Sequence, residues 1–223
     1  MLNSRLHLLT ILLFFGILVA APNLKSQNIK DATNWDLVTD KKDMQVFTHK
    51  NQETSIKDIR ITMTMHAAVP VVKEVLEDVE KYSDWVYKCE DPERLQTVSS
   101  KEFYYYVRSD MPFPASDRDL IIHSFHRIDP ATGIYSSHSL ASPDFLPEQN
   151  GVVRVRLFES YWTVTPNQDG TVQIDYRVRT DPGGYIPAWI VNLGISVGPV
   201  KTMERFSEMV HQTTERVADR EDE

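Results

Sequence analysis

The stretch "DPGGYIPAWIVNLGISVGPV" (residues 181–200) decides how the chain is read. From Tyr185 to Val197 it is apolar nearly all round, which is wrong for a surface helix, and its Gly and Pro interruptions exclude a membrane span. A helix without a polar face is buried on more than one side, or it faces something apolar that is not protein. The spacing predicts a hinge at Gly183 and Gly184, a helix start at Pro187, a kink at Gly198-Pro199, and an inward face made of Ile190, Leu193 and Val197. From Val200 onward the helix becomes amphipathic, with Met203, Phe206, Val210 and Val217 on one side and Lys201, Glu204, Arg205, Glu208 and Glu215 on the other.

Working back from this helix, the chain reads as short strands. "TVQIDYRVRT" alternates completely, Val172, Ile174, Tyr176 and Val178 against Gln173, Asp175, Arg177 and Arg179. "KDIRITMTMHA" does the same, with Ile59, Ile61, Met63 and Met65 on one face. "ERLQTVSS", "EFYYYVRSD", "DLIIHSFHRI", "GIYSSHSL" and "VVRVRLFESYWTV" are further strands separated by turn-formers such as "DPATG" and "NQDG", and "TNWDLVTDKKDMQVFTHK" holds two short strands around a charged turn. One helix of about three turns interrupts them, starting at Pro70 with Val71, Val72, Val75, Leu76, Val79 and Tyr82 as its apolar face and ending near "SDW". Strands joined by short turns predict an antiparallel meander with one wet and one buried face, so the fold class is α+β.

At 223 residues and 41% hydrophobic, the chain suits one domain, read as residues 28–223. With 24 Lys+Arg against 32 Asp+Glu and no basic stripe, it lacks the footprint of a nucleic-acid binder. Residues 1–26 have the layout of a secretory signal: Arg5, an apolar run from Leu8 to Ala21, then small and polar residues. This predicts an exported protein, periplasmic or extracellular, with an uncleaved N-terminal anchor as the alternative. Cleavage would remove Arg5 and Lys25 and no acid, leaving a still more acidic surface that argues against docking on anionic lipid by charge alone. A lone cysteine, Cys89, forms no internal disulfide, and its acidic surroundings in "YKCEDPE" raise its pKa and argue against a catalytic thiol.

Catalytic motifs fail on inspection. Gly194-Ile195-Ser196-Val197-Gly198 matches G-x-S-x-G, but a helical pattern precedes the serine and Pro199 follows, so a nucleophile elbow cannot form there. His123 and His126 are three apart on a strand and point to opposite faces, so they do not share a metal. Asp117 and Asp119 around Arg118 suit an ion-paired strand entrance better than an acid/base dyad. No cofactor motif occurs, and no cofactor is expected. What remains is an architecture, a sheet holding an unusually apolar helix, in which space left between the two would accept an apolar ligand at about 0.8 kcal/mol per sequestered methylene.

Taken in order, "WDLVTDKKDMQVFT", "DIRITMTMHAAVPVVKEVLEDVEKYSDWV", "PFPASDRDL", "PEQNGVVRVRLFESYWTVTP" and "IDYRVRTDPGGYIPAWIVNLGISVGPVKTMERF" resemble the steroidogenic acute regulatory protein-related lipid transfer (START) domains. The likeness runs from Trp35 to Val217. It implies a helix-grip fold, a curved antiparallel sheet wrapped around a long C-terminal helix enclosing an apolar tunnel, with Tyr185 to Phe206 and the loop "SLASPDFLPEQNG" as its lid. By strand parity from Arg118, Leu120, Ile122 and Ser124 then face the tunnel, with His123 and Phe125 outward. The ligand-binding set expected on this basis is Met63, Tyr105, Leu120, Ile122, Ser124, Tyr176, Trp189, Ile190, Leu193 and Val197. Some lipid-transfer relatives keep a buried charged pair inside; here Ser124 falls where one member would be and Ser109 or Asp110 where the other would. Arg118 and Asp119 are read either as tunnel-mouth groups or as a structural pair. The function expected is a non-enzymatic, monomeric carrier of a lipid or sterol-like molecule, with transient membrane contact. The alternatives are a cyclase or hydratase using Tyr105, Tyr176 and His123 as acid/base groups, and an interaction module with a filled core.

Overall fold

The computed structural model describes residues 29–41, 43–51 and 54–221; the expected signal segment at 1–26 lies outside them. In chain order the elements are β1 (Asp36–Lys41), β2 (Met44–His49), β3 (Asp58–His66), α1 (Val69–Glu77), α2 (Tyr82–Trp85), β4 (Cys89–Ser99), β5 (Glu102–Ser109), β6 (Arg118–Ile128), β7 (Tyr135–Ala141), β8 (Val153–Arg154), β9 (Leu157–Pro166), β10 (Thr171–Asp181), α3 (Ala188–Gly194) and α4 (Val197–Glu221). Among the described residues the ten strands form one sheet, ordered β1-β2-β3-β10-β9-β7-β6-β5-β4, with β8 beside β6.

Apart from the short β8, β4 to β10 form the expected antiparallel meander, and the first three strands extend it beyond β10. After β3 the chain leaves through α1 and α2 to the far edge, then returns strand by strand until β10 pairs with β3, Ile61 opposite Tyr176 and Met63 opposite Ile174. A buried ion pair ties the same seam: Arg179 donates through Nε and Nη2 to the Asp58 carboxylate at 3.0 and 2.9 Å. "VVRVRLFESYWTV" is two strands rather than one, because Val153-Arg154 pairs parallel with Arg118-Asp119 before β9 begins. In β4 the register shifts between Glu90 and Glu93, around Pro92. A residue without an N–H is tolerated there because β4 is an edge.

The helix starting at Pro70 is also shorter than its periodicity suggests. Asp78 leaves helical geometry with φ −84° and ψ 78°, and a turn of 3-10 helix (Val79–Lys81) leads into α2. The break serves packing: Val79, Tyr82 and Trp85 all enter the core, and the Tyr82 hydroxyl donates back to the Leu76 carbonyl at 2.6 Å. Opposite them, α4 inserts Met203, Phe206 and Val210, and the Phe206 ring lies 5.1 Å from Trp85 and 5.2 Å from Trp162. Phe206 thus links the helical layer to β9, and the sheet closes around α4 as a helix-grip fold. No helix among the described residues is long and apolar enough to cross a membrane.

Candidate ligand cavity

The layers do not meet everywhere. A cavity of about 300 Å³ lies between the inner face of β3, β5, β6, β7, β9 and β10 and the helices α1, α2 and α4. Strand parity determines what it sees: Leu120, Ile122, Ser124 and His126 from β6, Ser137 and Ser139 from β7, Phe158, Ser160 and Trp162 from β9. An interaction module with a filled core does not fit this interior.

Of the residues expected to bind ligand, Tyr105, Leu120, Ile122, Ser124 and Tyr176 are brought together on this wall. Met63 is buried in the core away from the cavity. Trp189, Ile190, Leu193 and Val197, expected to face inward, are 64%, 45%, 78% and 48% exposed and do not line it. The stripe turned toward the protein is Asn192, Ile195, Pro199 and Thr202, of which the last three line the cavity. A segment apolar on every side gives no phase to its periodicity, so the inward face could not be read from hydrophobicity. The helix break falls between α3 and α4 around Ile195-Ser196, while Gly198-Pro199 belongs to the first turn of α4, where a missing N–H is harmless.

Asn192, which carried no signal in the sequence, fastens α3 to the turn before β3. Its Oδ1 accepts from the Lys57 N–H at 2.9 Å and its Nδ2 donates to the Ser55 carbonyl at 2.8 Å. The approach to α3 is held from the other side by Arg118, which is buried and donates to the carbonyls of Pro182, Gly183 and Ser116. Gly184 sits at φ +71°, which favours glycine, and a Cβ there would crowd the Arg118 guanidinium at 3.1 Å. The expected hinge is therefore clamped.

Asp119 does not pair with Arg118. It accepts two bonds from Arg154, both at 2.9 Å and both side chains buried, and Arg154 also donates to the carbonyls of Pro143, Leu146 and Pro147. Asp117 accepts from Arg108. Arg118 and Asp119 thus organise structure. The loop "SLASPDFLPEQNG" is pinned by Arg154, and beyond Ser139 none of it lines the cavity; Phe145 stacks on Tyr104, centroids 4.4 Å apart, correcting its expected role as a lid.

The acid/base set expected for a cyclase does not assemble. Tyr105 and Tyr176 line the cavity, and burial pushes both phenols up. His123 points away, bonded to Glu102 at 2.8 Å and stacked on Tyr104. Cys89 lines the cavity, and burial, then Asp91 and Glu90, push its thiol up to about 12, so it stays protonated.

His126 is the ionisable group that the sequence undervalued. It is 6% exposed, and burial, with Lys73 and Arg94 adding to the effect, pushes its pKa down from 6.5 to about 4. The unfolded chain takes up this proton near pH 6.5 and the folded chain only near 4, so stability falls as pH drops through that window, by about 3 kcal/mol in full. His126→Gln should remove this component: urea unfolding at pH 7 and pH 4 should show the parent losing about 3 kcal/mol more than the variant, and equal losses would refute the assignment.

A family model described as START domain matches residues 20–216. An uncharacterized protein of Pseudomonas aeruginosa is 29% identical over 173 residues, covering 78% of this chain and 85% of that one. The ceramide transfer protein of Mus musculus is 24% identical over 214 residues, 86% of this chain but 34% of its own length, so this chain spans about a third of that protein. Among solved structures, a fragment of a STAR-related lipid transfer protein from Xanthomonas axonopodis superposes with a TM-score of 0.74 at 26% identity, covering 80% of this chain and 99% of the fragment. Human StAR-related lipid transfer protein 5 reaches 0.71 at 16% identity, covering 82% and 89%, a likeness of fold alone.

Proposed function

The chain belongs to the START domain family, and from that premise we propose that it binds and carries a hydrophobic molecule, a lipid or sterol-like compound, with α3 and the start of α4 as the gate. The observation that carries this reading is the cavity of about 300 Å³, walled largely by apolar and aromatic side chains and covered by Ile195, Pro199 and Thr202, just beyond the helix that Asn192 ties to the turn before β3. The reading is of a carrier rather than an enzyme. The apolar run at residues 8–21 supports export, and the exposed Tyr185, Trp189, Leu193 and Val197 around the gate support brief contact with a bilayer during loading. The carrier acts as a monomer.

Gating has a direct test. Asn192→Ala removes two hydrogen bonds worth about 1.4 kcal/mol together, which raises the open population about tenfold. Nile red preloaded into the protein should leave the variant about tenfold faster while its bound brightness changes little. An unchanged release rate would show that α3 is not the gate, and failure of the parent protein to take up the dye would count against the carrier itself.

A further inference from the structure

The cavity ends at one register row of the sheet. On β10 it is lined by Thr180, Val178 and Tyr176, and on β9 by Phe158, Ser160 and Trp162, and each series stops there. The ladders set these last residues in line: Tyr176 opposite Trp162, Trp162 opposite Ser137, and Ser137 opposite His126, all four on the cavity wall. The next row in the same register is Ile174, Val164 and Tyr135, each 0% exposed and none of them on that wall. Beyond the row lies packed core.

Aromatic rings turn this row into a floor. The Trp162 ring lies 4.3 Å from that of Tyr176 and 5.2 Å from that of Phe206, which α4 inserts from the helical side, 5.1 Å from Trp85. Sheet and helices meet there, and a ligand stops against the rings. Two measures of the space above the floor agree. From Thr180, next to the approach to α3, down to Tyr176 is about 13 Å of strand, which an extended alkyl chain advancing about 1.2 Å per bond crosses in about eleven bonds. A volume of about 300 Å³ holds about ten chain carbons at about 30 Å³ each, close to the share of a water molecule in the liquid.

We propose that Trp162 is the specificity-determining residue of the cavity, and that the ligand is a molecule with a single alkyl chain, or a ring system of the same bulk, and not a two-chain lipid. The inference rests on the carrier reading and narrows it. A lipid with two palmitoyl chains brings about thirty chain carbons, about three times what the space accepts. Each surplus methylene has to leave the bilayer without entering an apolar site, which lowers extraction about fourfold.

The test offers the protein vesicles of palmitoyl-oleoyl-phosphatidylcholine doped with equal mole fractions of 1-monoacylglycerols, from decanoyl to stearoyl, and of dipalmitoylglycerol, and reads the extracted adducts by native mass spectrometry. Extraction by the parent protein should be level to about the lauroyl chain and fall about fourfold per further carbon, with no adduct of either two-chain lipid. Trp162→Leu should move the fall-off at least about two carbons longer, and Ser160→Leu, one row nearer the mouth, about two carbons shorter. A two-chain adduct as abundant as the lauroyl one overturns the proposal and leaves the carrier standing, and so does a fall-off that a folded Trp162→Leu leaves in place. Uptake of Nile red without any single-chain adduct overturns it in the same way. If neither dye nor lipid is taken up, the carrier reading fails and the proposal with it. Should Trp162→Leu fail to fold, Ser160→Leu and the parent protein decide.

Discussion

Asp119→Ala is expected to lower the free energy of unfolding by about 3–5 kcal/mol, the range for removing one partner of a buried ion pair. The loss exceeds any direct attraction because of what stays behind. Arg154 keeps its guanidinium buried among the carbonyls of Pro143, Leu146 and Pro147, which accept its protons but do not neutralise its charge. A domain of this size has about 5–15 kcal/mol in total, so the variant sits near the threshold of folding. Pairing the change with Arg154→Met should recover much of the loss, because the orphaned charge disappears with its partner. Urea titration decides the matter: a loss under about 1 kcal/mol would show that Arg154 finds water or another anion.

Leu120→Trp is expected to cut dye uptake by more than tenfold while changing stability by no more than about 1 kcal/mol. Leu120 projects from β6 into the cavity, and an indole there occupies space that the fold leaves open. Filling a void is normally neutral or stabilising, whereas overpacking a full core costs about 1–3 kcal/mol, so the stability of the variant reports whether the space is empty. Leu193→Asp is the contrast. From the sequence it should abolish retention, but Leu193 is 78% exposed, so retention is now expected to persist. A reversed outcome for the two variants would move the ligand from the cavity to the outer surface of α3.

The difference between these residues marks where sequence was informative. In β3 and β10 alternation is strict because one face is buried and the other wet, so Ile59, Ile61, Ile174 and Val178 could be placed inside directly. The same parity carried Leu120, Ile122 and Ser124 to the cavity wall. It would also have found Ser137 and Ser139, since "YSSHS" alternates small inward hydroxyls with outward residues. In α3 the pattern held no phase because every face is apolar. The pairing of Asp119 with Arg154 spans 35 residues and depends on the short β8 pairing parallel with β6, a register that no local pattern announces. His126 looked like one of two tempting metal ligands; its meaning lies in Ser124, Tyr135 and Glu77, which only the folded sheet and α1 bring to it.

Native mass spectrometry of the purified protein addresses the central claim most directly. The account predicts one small apolar adduct per chain, either carried through purification or acquired on incubation with a lipid extract, and absent from Leu120→Trp. A bare protein mass under both conditions, or an adduct that Leu120→Trp retains undiminished, would contradict it.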